Sequence, residues 1–256
     1  MTALWVVILI AGSAQLFWFI VICMAVTALY EYFKMTLKMP VDHRFFFPVI
    51  TATLPVLASL LNNQDYFVIS LFFCLLGTII FCLKLYDRLE NPLYFLALGC
   101  LGSLYIGFCL AHLVFIRFLP QGVAWLLVLT AVTAGSDTGA YYLGRTFGRR
   151  KLCPHISPGK TVEGALGGIT VGTFAAFLVG LILLPEINWF FVVISAFTLS
   201  LISIIGDLVE SIAKRASGVK DSGTLLFGHG GVLDRIDSML IAAPLLYYLI
   251  NLDILL

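Results

Sequence analysis

Eight apolar stretches, at 4–29, 45–61, 66–83, 93–116, 122–143, 164–184, 188–206 and 238–256, dominate this sequence and leave little choice of fold. Several reach the roughly 20 residues an α-helix needs to cross a bilayer. Within lipid a segment must satisfy its own backbone hydrogen bonds, so such stretches fold as helices. The first is long enough for one tilted helix, or for a short helix and a full one broken at Gly12-Ser13. The expected architecture is an all-α integral membrane protein, a polytopic bundle of eight transmembrane helices (nine if the first stretch breaks) with a polar cavity on the cytoplasmic side.

Composition agrees, since 61% of the 256 residues are hydrophobic and 11% charged, against about 25% charged in soluble domains. The surplus apolar surface must face lipid. A formal charge of +1 and no basic run longer than Arg149-Arg150-Lys151 exclude nucleic acid as an expected partner. The six cysteines never approach a CxxC spacing, and five lie inside apolar stretches, where thiols pack as small hydrophobes. No basic n-region precedes the first stretch, which is too long for a signal-peptide core and is expected to stay in the mature protein.

Sorting the 15 Lys and Arg residues over alternate sides of this arrangement puts all except Arg117 in the loops after the first, third, fifth and seventh stretches. Basic residues accumulate in cytoplasmic loops, which assigns those loops to the cytoplasm and leaves the N-terminal side open. The opposite connections, at 62–65, 120–122 and 185–188, are too short to house a site. The chain divides at this stage into N-terminal transmembrane helices, 1–120, and a C-terminal catalytic transmembrane region, 121–256, with cytoplasmic loops 144–163 and 207–237. Gly164, Gly168 and Gly172 recur on one helix face, the spacing of close helix packing in lipid, of which a dimer seam is one form.

Most of the polar chemistry lies in those two loops. Asp207, Glu210 and Lys214 share a helix face by their spacings, as do Asp234 and Asp237. Asp207 and Asp234 flank an excursion that leaves and re-enters the bilayer, so both belong at the interface. Asp137 lies inside the fifth span, about six residues or roughly 9 Å from its cytoplasmic end, and an intramembrane acid normally faces a bundle interior or wet cavity. Acids converging beside Lys160, Lys214, Arg215, Lys220 and Arg235 suggest a divalent metal, Mg2+ or Mn2+, together with phosphate; interfacial salt bridges are the plainer reading. Gly228-His229-Gly230-Gly231 precedes the last helix and offers backbone donors to an anion, or is simply a turn. His229 would donate to a phosphate, tune a ligand or cap the turn. Ser157-Pro158-Gly159-Lys160-Thr161 lacks the first glycine of a Walker A loop, yet presents Lys160 beside two hydroxyls ahead of a helix opening near Thr161.

In order and spacing, Ser211-x-x-Lys214-Arg215, Lys220-Asp221 and His229-Gly230-Gly231-x-x-Asp234-Arg235-x-Asp237 form one signature, which resembles the bacterial CDP-diacylglycerol synthases (phosphatidate cytidylyltransferases). Ser136-Asp137-Thr138-Gly139-Ala140-Tyr141, Gly144-Arg145, Ser157 to Gly164 and Gly206-Asp207 extend the resemblance over about 130–240. Ala213 and Phe227 depart from the pattern without removing a charge.

The resemblance implies a multi-pass inner-membrane homodimer, its active site facing the cytoplasm. It implies conversion of CTP and phosphatidic acid into CDP-diacylglycerol and pyrophosphate, with Mg2+. Asp207 and Asp234 would be its metal-binding aspartates, with Asp137 and Asp237 as further candidates. Lys214, Arg215 and Lys220 would contact phosphate in catalysis. Ser157, Lys160, Thr161, Asp221, His229 and Arg235 are candidates for binding CTP or phosphate. The alternatives are a CTP-dependent lipid kinase, a cytidylyltransferase for another lipid phosphate and, from another class, an ion-coupled transporter.

Overall fold

The computed structural model describes residues 2–37, 41, 42, 44–223, 225 and 230–251. Its helices are α1 (Thr2–Ala11), α2 (Ala14–Thr36), α3 (Phe46–Ala58), α4 (Gln64–Lys84), α5 (Pro92–Gly102), α6 (Cys109–Phe118), α7 (Gly122–Phe147), α8 (Val162–Leu183), α9 (Trp189–Ala216), α10 (Leu233–Leu240) and α11 (Ala242–Asn251). A π-helical turn, Ser103–Phe108, joins α5 to α6 as one continuous span.

All eight apolar stretches are helical in their described parts, but they do not all reach full-span length. Among the described residues six helices, α2, α4, α5 with α6, α7, α8 and α9, are long and apolar enough to cross a membrane. The chain is therefore an all-α, multi-pass membrane protein. The first stretch breaks at Gly12-Ser13, where the Ser13 hydroxyl accepts from Leu16 N–H at 3.2 Å and starts α2. That leaves α1 with 10 residues, about 15 Å or half a bilayer. α3 has 13 residues and runs on as a 3-10 turn until Asn62, at φ 46°, ends it. The last stretch is divided between α10 and α11, with 8 and 10 residues.

The chain packs as two compact units, discontinuous in sequence: Met1–Gly12, Ile116–Arg215 and Asp237–Leu256 form the first, Ser13–Phe115 and Ala216–Ile236 the second. The chain thus passes between the units at residues 12, 115, 215 and 236.

In the first unit α7 and α8 run at backbone contact. A Cβ on Gly168 would lie 2.7 Å from Ser136 O, and one on Gly172 2.8 Å from Val132 O. The glycine face of α8 thus packs inside the chain against α7 and does not form a dimer seam. Trp5 Nε1 donates to Thr130 Oγ1 at 3.0 Å, which lays α1 along α7, and Arg117 Nη2, at the end of α6, donates to Gly12 O at 3.0 Å. Between α7 and α8 the chain forms an antiparallel hairpin, β1 (Lys151–Cys153) and β2 (Ser157–Thr161).

The second unit packs α2 to α6 around aromatic side chains; Phe67, for instance, meets Phe108, His112 and Phe115 with ring centroids 5.1 to 5.6 Å apart.

Candidate active site

In the first unit, α7, the hairpin and α9 enclose a cavity of about 710 Å3, lined by Asp137, Tyr141 and Arg145 from α7, Ser157, Lys160 and Thr161 from β2, and Asp207 from α9. Local sequence explains how these side chains arrive. Beyond α7 the backbone N–H groups of Arg149 and Arg150 donate to the Glu163 carboxylate at 3.0 and 3.2 Å, closing the base of the hairpin. Thr161 is the N-cap of α8, its hydroxyl accepting from Gly164 N–H at 3.1 Å, so the helix opens beside Thr161 as expected from sequence. Arg215 Nε donates to Ile156 O at 3.2 Å and ties the hairpin's turn to the end of α9. Lys160 is thereby carried to Asp207, where ammonium and Oδ2 pair at 2.5 Å.

Asp207 also belongs to an acidic cluster. Its carboxylate, with those of Glu210 and Asp237, offers oxygens that all lie within 4.8 Å of one another. The spacing along α9 puts Asp207, Glu210 and Lys214 on one face, and Lys214 pairs with Glu210. Gly206 lets α10 approach, since a Cβ there would lie 2.6 Å from Asp237 O. Ser238 bridges two acids: its N–H donates to Asp237 Oδ1 at 2.7 Å, and its hydroxyl lies 3.3 Å from both Asp237 Oδ1 and Asp137 Oδ1.

Glu210 is 0% and Asp237 9% exposed. Burial first, and then the charges of Asp207 and Asp137, push the Asp237 carboxyl up to about 7 against the opposing pull of Ser238 N–H and Lys214. Such a set of crowded hard oxygens fits a divalent cation, because neighbouring ligands in an octahedron of about 2.1 Å bonds lie roughly 3 Å apart and opposite ones about 4.2 Å.

The second unit holds the remaining sequence candidates. Asp234 accepts from Gly231 N–H at 2.8 Å and from Ser222 N–H and Oγ–H, each at 3.0 Å. Lys220, Asp221 and Arg235 are exposed. His229 lies outside the described residues. The described part of the glycine turn serves carboxylates of the chain itself: Gly230 takes φ 78°, and a Cβ on it would lie 2.8 Å from Asp234 Oδ2.

Two acids escaped the sequence reading of the site. Glu210 was visible on the Asp207 face but carried no proposed role. Glu31 was passed over because the first apolar stretch was ended at residue 29. In the structure α2 runs on to Thr36 and buries Glu31 at 1% exposure. The signal that singled out Asp137, an acid inside an apolar helix, applied equally to Glu31.

Residues 1–253 match the family model described as the cytidylyltransferase family. Among curated proteins, a Bacillus subtilis phosphatidate cytidylyltransferase is 43% identical over 153 residues, 59% of this chain and 57% of that protein. A phosphatidate cytidylyltransferase of Haemophilus influenzae is 46% identical over 133 residues, 50% of this chain and 46% of the relative. The uncharacterized protein YnbB of Escherichia coli is 43% identical over 149 residues, 56% of this chain and 50% of its own length. The chain thus spans about half the length of the curated relatives it matches.

Proposed function

The chain belongs to the cytidylyltransferase family, and from that premise we propose that it transfers a cytidylyl group from CTP to phosphatidic acid, giving CDP-diacylglycerol and pyrophosphate. The observation that carries this reading is Asp207, which is at once a wall of the 710 Å3 cavity, the partner of Lys160 and a member of the three-carboxylate cluster. The cavity is of a size to take a nucleotide. Its basic residues, Arg145, Lys151 and Lys160, suit phosphate.

The phosphate of phosphatidic acid is already an anionic nucleophile, so no general base or covalent enzyme intermediate is required. A phosphatidate oxygen forms the new bond to the α-phosphorus of CTP as the bond to the β-phosphate oxygen breaks, and the electron pair leaves with pyrophosphate. Lys160 and Arg145 orient the phosphates and offset the charge that moves to the leaving group. Asp207, Glu210 and Asp237 would hold a divalent ion, Mg2+ or Mn2+, which when bound supplies charge neutralisation and alignment of phosphate oxygens. Asp234 keeps its proposed role as a metal ligand, and Lys214, Arg215 and Lys220 theirs as phosphate contacts, on the resemblance of their motif. By the same resemblance we propose a homodimer in the inner membrane. The basic loops support a site facing the cytoplasm.

The test is incubation of detergent-purified protein with phosphatidic acid, Mg2+ and CTP labelled at the α-phosphate, with and without EDTA, followed by mass identification of the extracted lipid. An EDTA-sensitive CDP-lipid is expected. Label entering lipid from the γ-position alone would replace the proposal with a lipid kinase.

A further inference from the structure

We infer that Glu31, on α2, is a positioning residue for Asp234: it holds the loop that presents Asp234 and so governs how that carboxylate serves metal-dependent turnover. The inference rests on the reaction proposed above, and its contacts lie wholly within the second unit.

A carboxylate buried in an otherwise apolar helix, near the C-terminal end where the helix dipole opposes negative charge, survives only if donors surround it. Among the described residues Glu31 has three of them. Val232 N–H donates to Oε1 at 3.1 Å, and Leu233 N–H and the Ser222 hydroxyl to Oε2 at 2.9 and 3.2 Å. The two backbone donors open α10, whose first turn carries Asp234, so Glu31 caps that helix from a distant point in the chain. The Ser222 hydroxyl also lies 3.0 Å from Asp234 Oδ2. One hydroxyl proton stands between two carboxylates and serves one at a time. The orientation of Asp234 is therefore linked to the placement of Glu31.

The loop is built around this carboxylate. A Cβ on Gly223 would lie 2.7 Å from Glu31 Cδ and 2.9 Å from Cγ, and one on Gly231 2.5 Å from Oε2. Glycine on two sides leaves room for the carboxylate and for nothing larger. Packing alone would be met as well or better by an apolar side chain, because a buried carboxylate loses its hydration and recovers that cost only through the donors around it.

The test compares wild type with Glu31→Ala and with the isosteric Glu31→Gln, which stands in should the alanine variant fail to reach the membrane. In either variant the amides of Val232 and Leu233 should exchange hydrogen at least tenfold faster, with α4 and α7 unchanged. Turnover should fall about tenfold or more, as for other groups that orient metal ligands. The Mg2+ concentration for half-maximal rate should rise at least fivefold while the KM for CTP stays within twofold. A residue needed only for folding would reduce the amount of active enzyme and leave the Mg2+ dependence where it was.

A double-mutant cycle adds an independent check. Gly223→Ala, whose Cβ would press on Glu31, should slow wild type severalfold and be nearly silent beside Glu31→Ala. Unchanged exchange, an unmoved Mg2+ dependence in an active variant, or additive effects in the cycle would each overturn the inference. If wild type forms no CDP-lipid while exchange at Val232 and Leu233 still accelerates, the proposed reaction fails and the hold of Glu31 on the loop stands.

Discussion

Around Asp207 the first unit gathers four carboxylates, those of Asp137, Asp207, Glu210 and Asp237, against the ammonium groups of Lys160 and Lys214. Negative charge in excess at a cavity wall is costly unless protons or a cation balance it. Changing Asp207 to Asn removes the carboxylate that lines the cavity, pairs with Lys160 and belongs to the three-carboxylate cluster; CDP-lipid formation should fall by roughly 100-fold or more, with normal yield in the membrane fraction. Near-normal turnover would end its assignment. Asp237 gives a pH signature. Its carboxyl is raised to about 7, so below that pH it carries a proton that must leave before a metal binds. Apparent Mg2+ affinity, followed by calorimetry on the purified protein, should therefore weaken about tenfold for each pH unit below 7 and level off above it. A flat profile from pH 5.5 to 8 would remove Asp237 from the ligand set. Asp207, Asp137 and Lys160 were legible in the sequence because charge inside or beside apolar helices stands out. Glu31 and Ser222 were not, because their meeting joins residues 191 positions apart, and helical spacing carries no information at that range.

At the scale of the element, the length of the apolar stretches was enough to find the helices, and Gly12-Ser13 and Thr161 to place two of their starts. Gly12-Ser13 and Thr161 mark real starts because a hydroxyl that accepts a helical N–H is a local interaction. The hairpin of 151–161 escaped, since strands of 3 and 5 residues are too short to show alternation. The shortness of α3 was legible, since the apolar stretch 45–61 matches α3 and its 3-10 turn, which end together at Leu61. Small residues on α8 suggested close packing, and the structure supplies the partner, α7. Gly168→Ala would drive a Cβ to within 2.7 Å of Ser136 O, a backbone atom with little room to retreat. The expected loss is about 1 to 3 kcal/mol, measured as a lower midpoint of thermal or SDS unfolding in detergent. Gly159→Ala is the control, because its Cβ would meet nothing within 4 Å, and its stability should stay within about 0.5 kcal/mol. Equal losses at the two positions would mean that the α7–α8 contact contributes nothing particular.

Across the whole molecule, polytopic character was the most legible property, since lipid permits so few backbone solutions. The number of full spans was less so: among the described residues, eight apolar stretches give six helices of spanning length, with α1 and α3 shorter. The sorting of basic residues over alternate sides counts α3 as a crossing too. Arg117, alone on its side in that sorting, donates to Gly12 O at the break between α1 and α2. The proposed reaction needs the basic loops in the cytoplasm, where CTP is available, and single cysteines test it. In a background with Cys153 replaced, the other thiols lie in apolar helices, where a charged maleimide does not react. Asp65→Cys and Glu186→Cys, at exposed positions of the short connections, should label in intact cells. Arg149→Cys, exposed where α7 leads into the hairpin, should label only after permeabilisation. Labelling of the Arg149 variant in intact cells would put the cavity's hairpin outside the cell, away from CTP, and the proposed activity could not operate in that orientation.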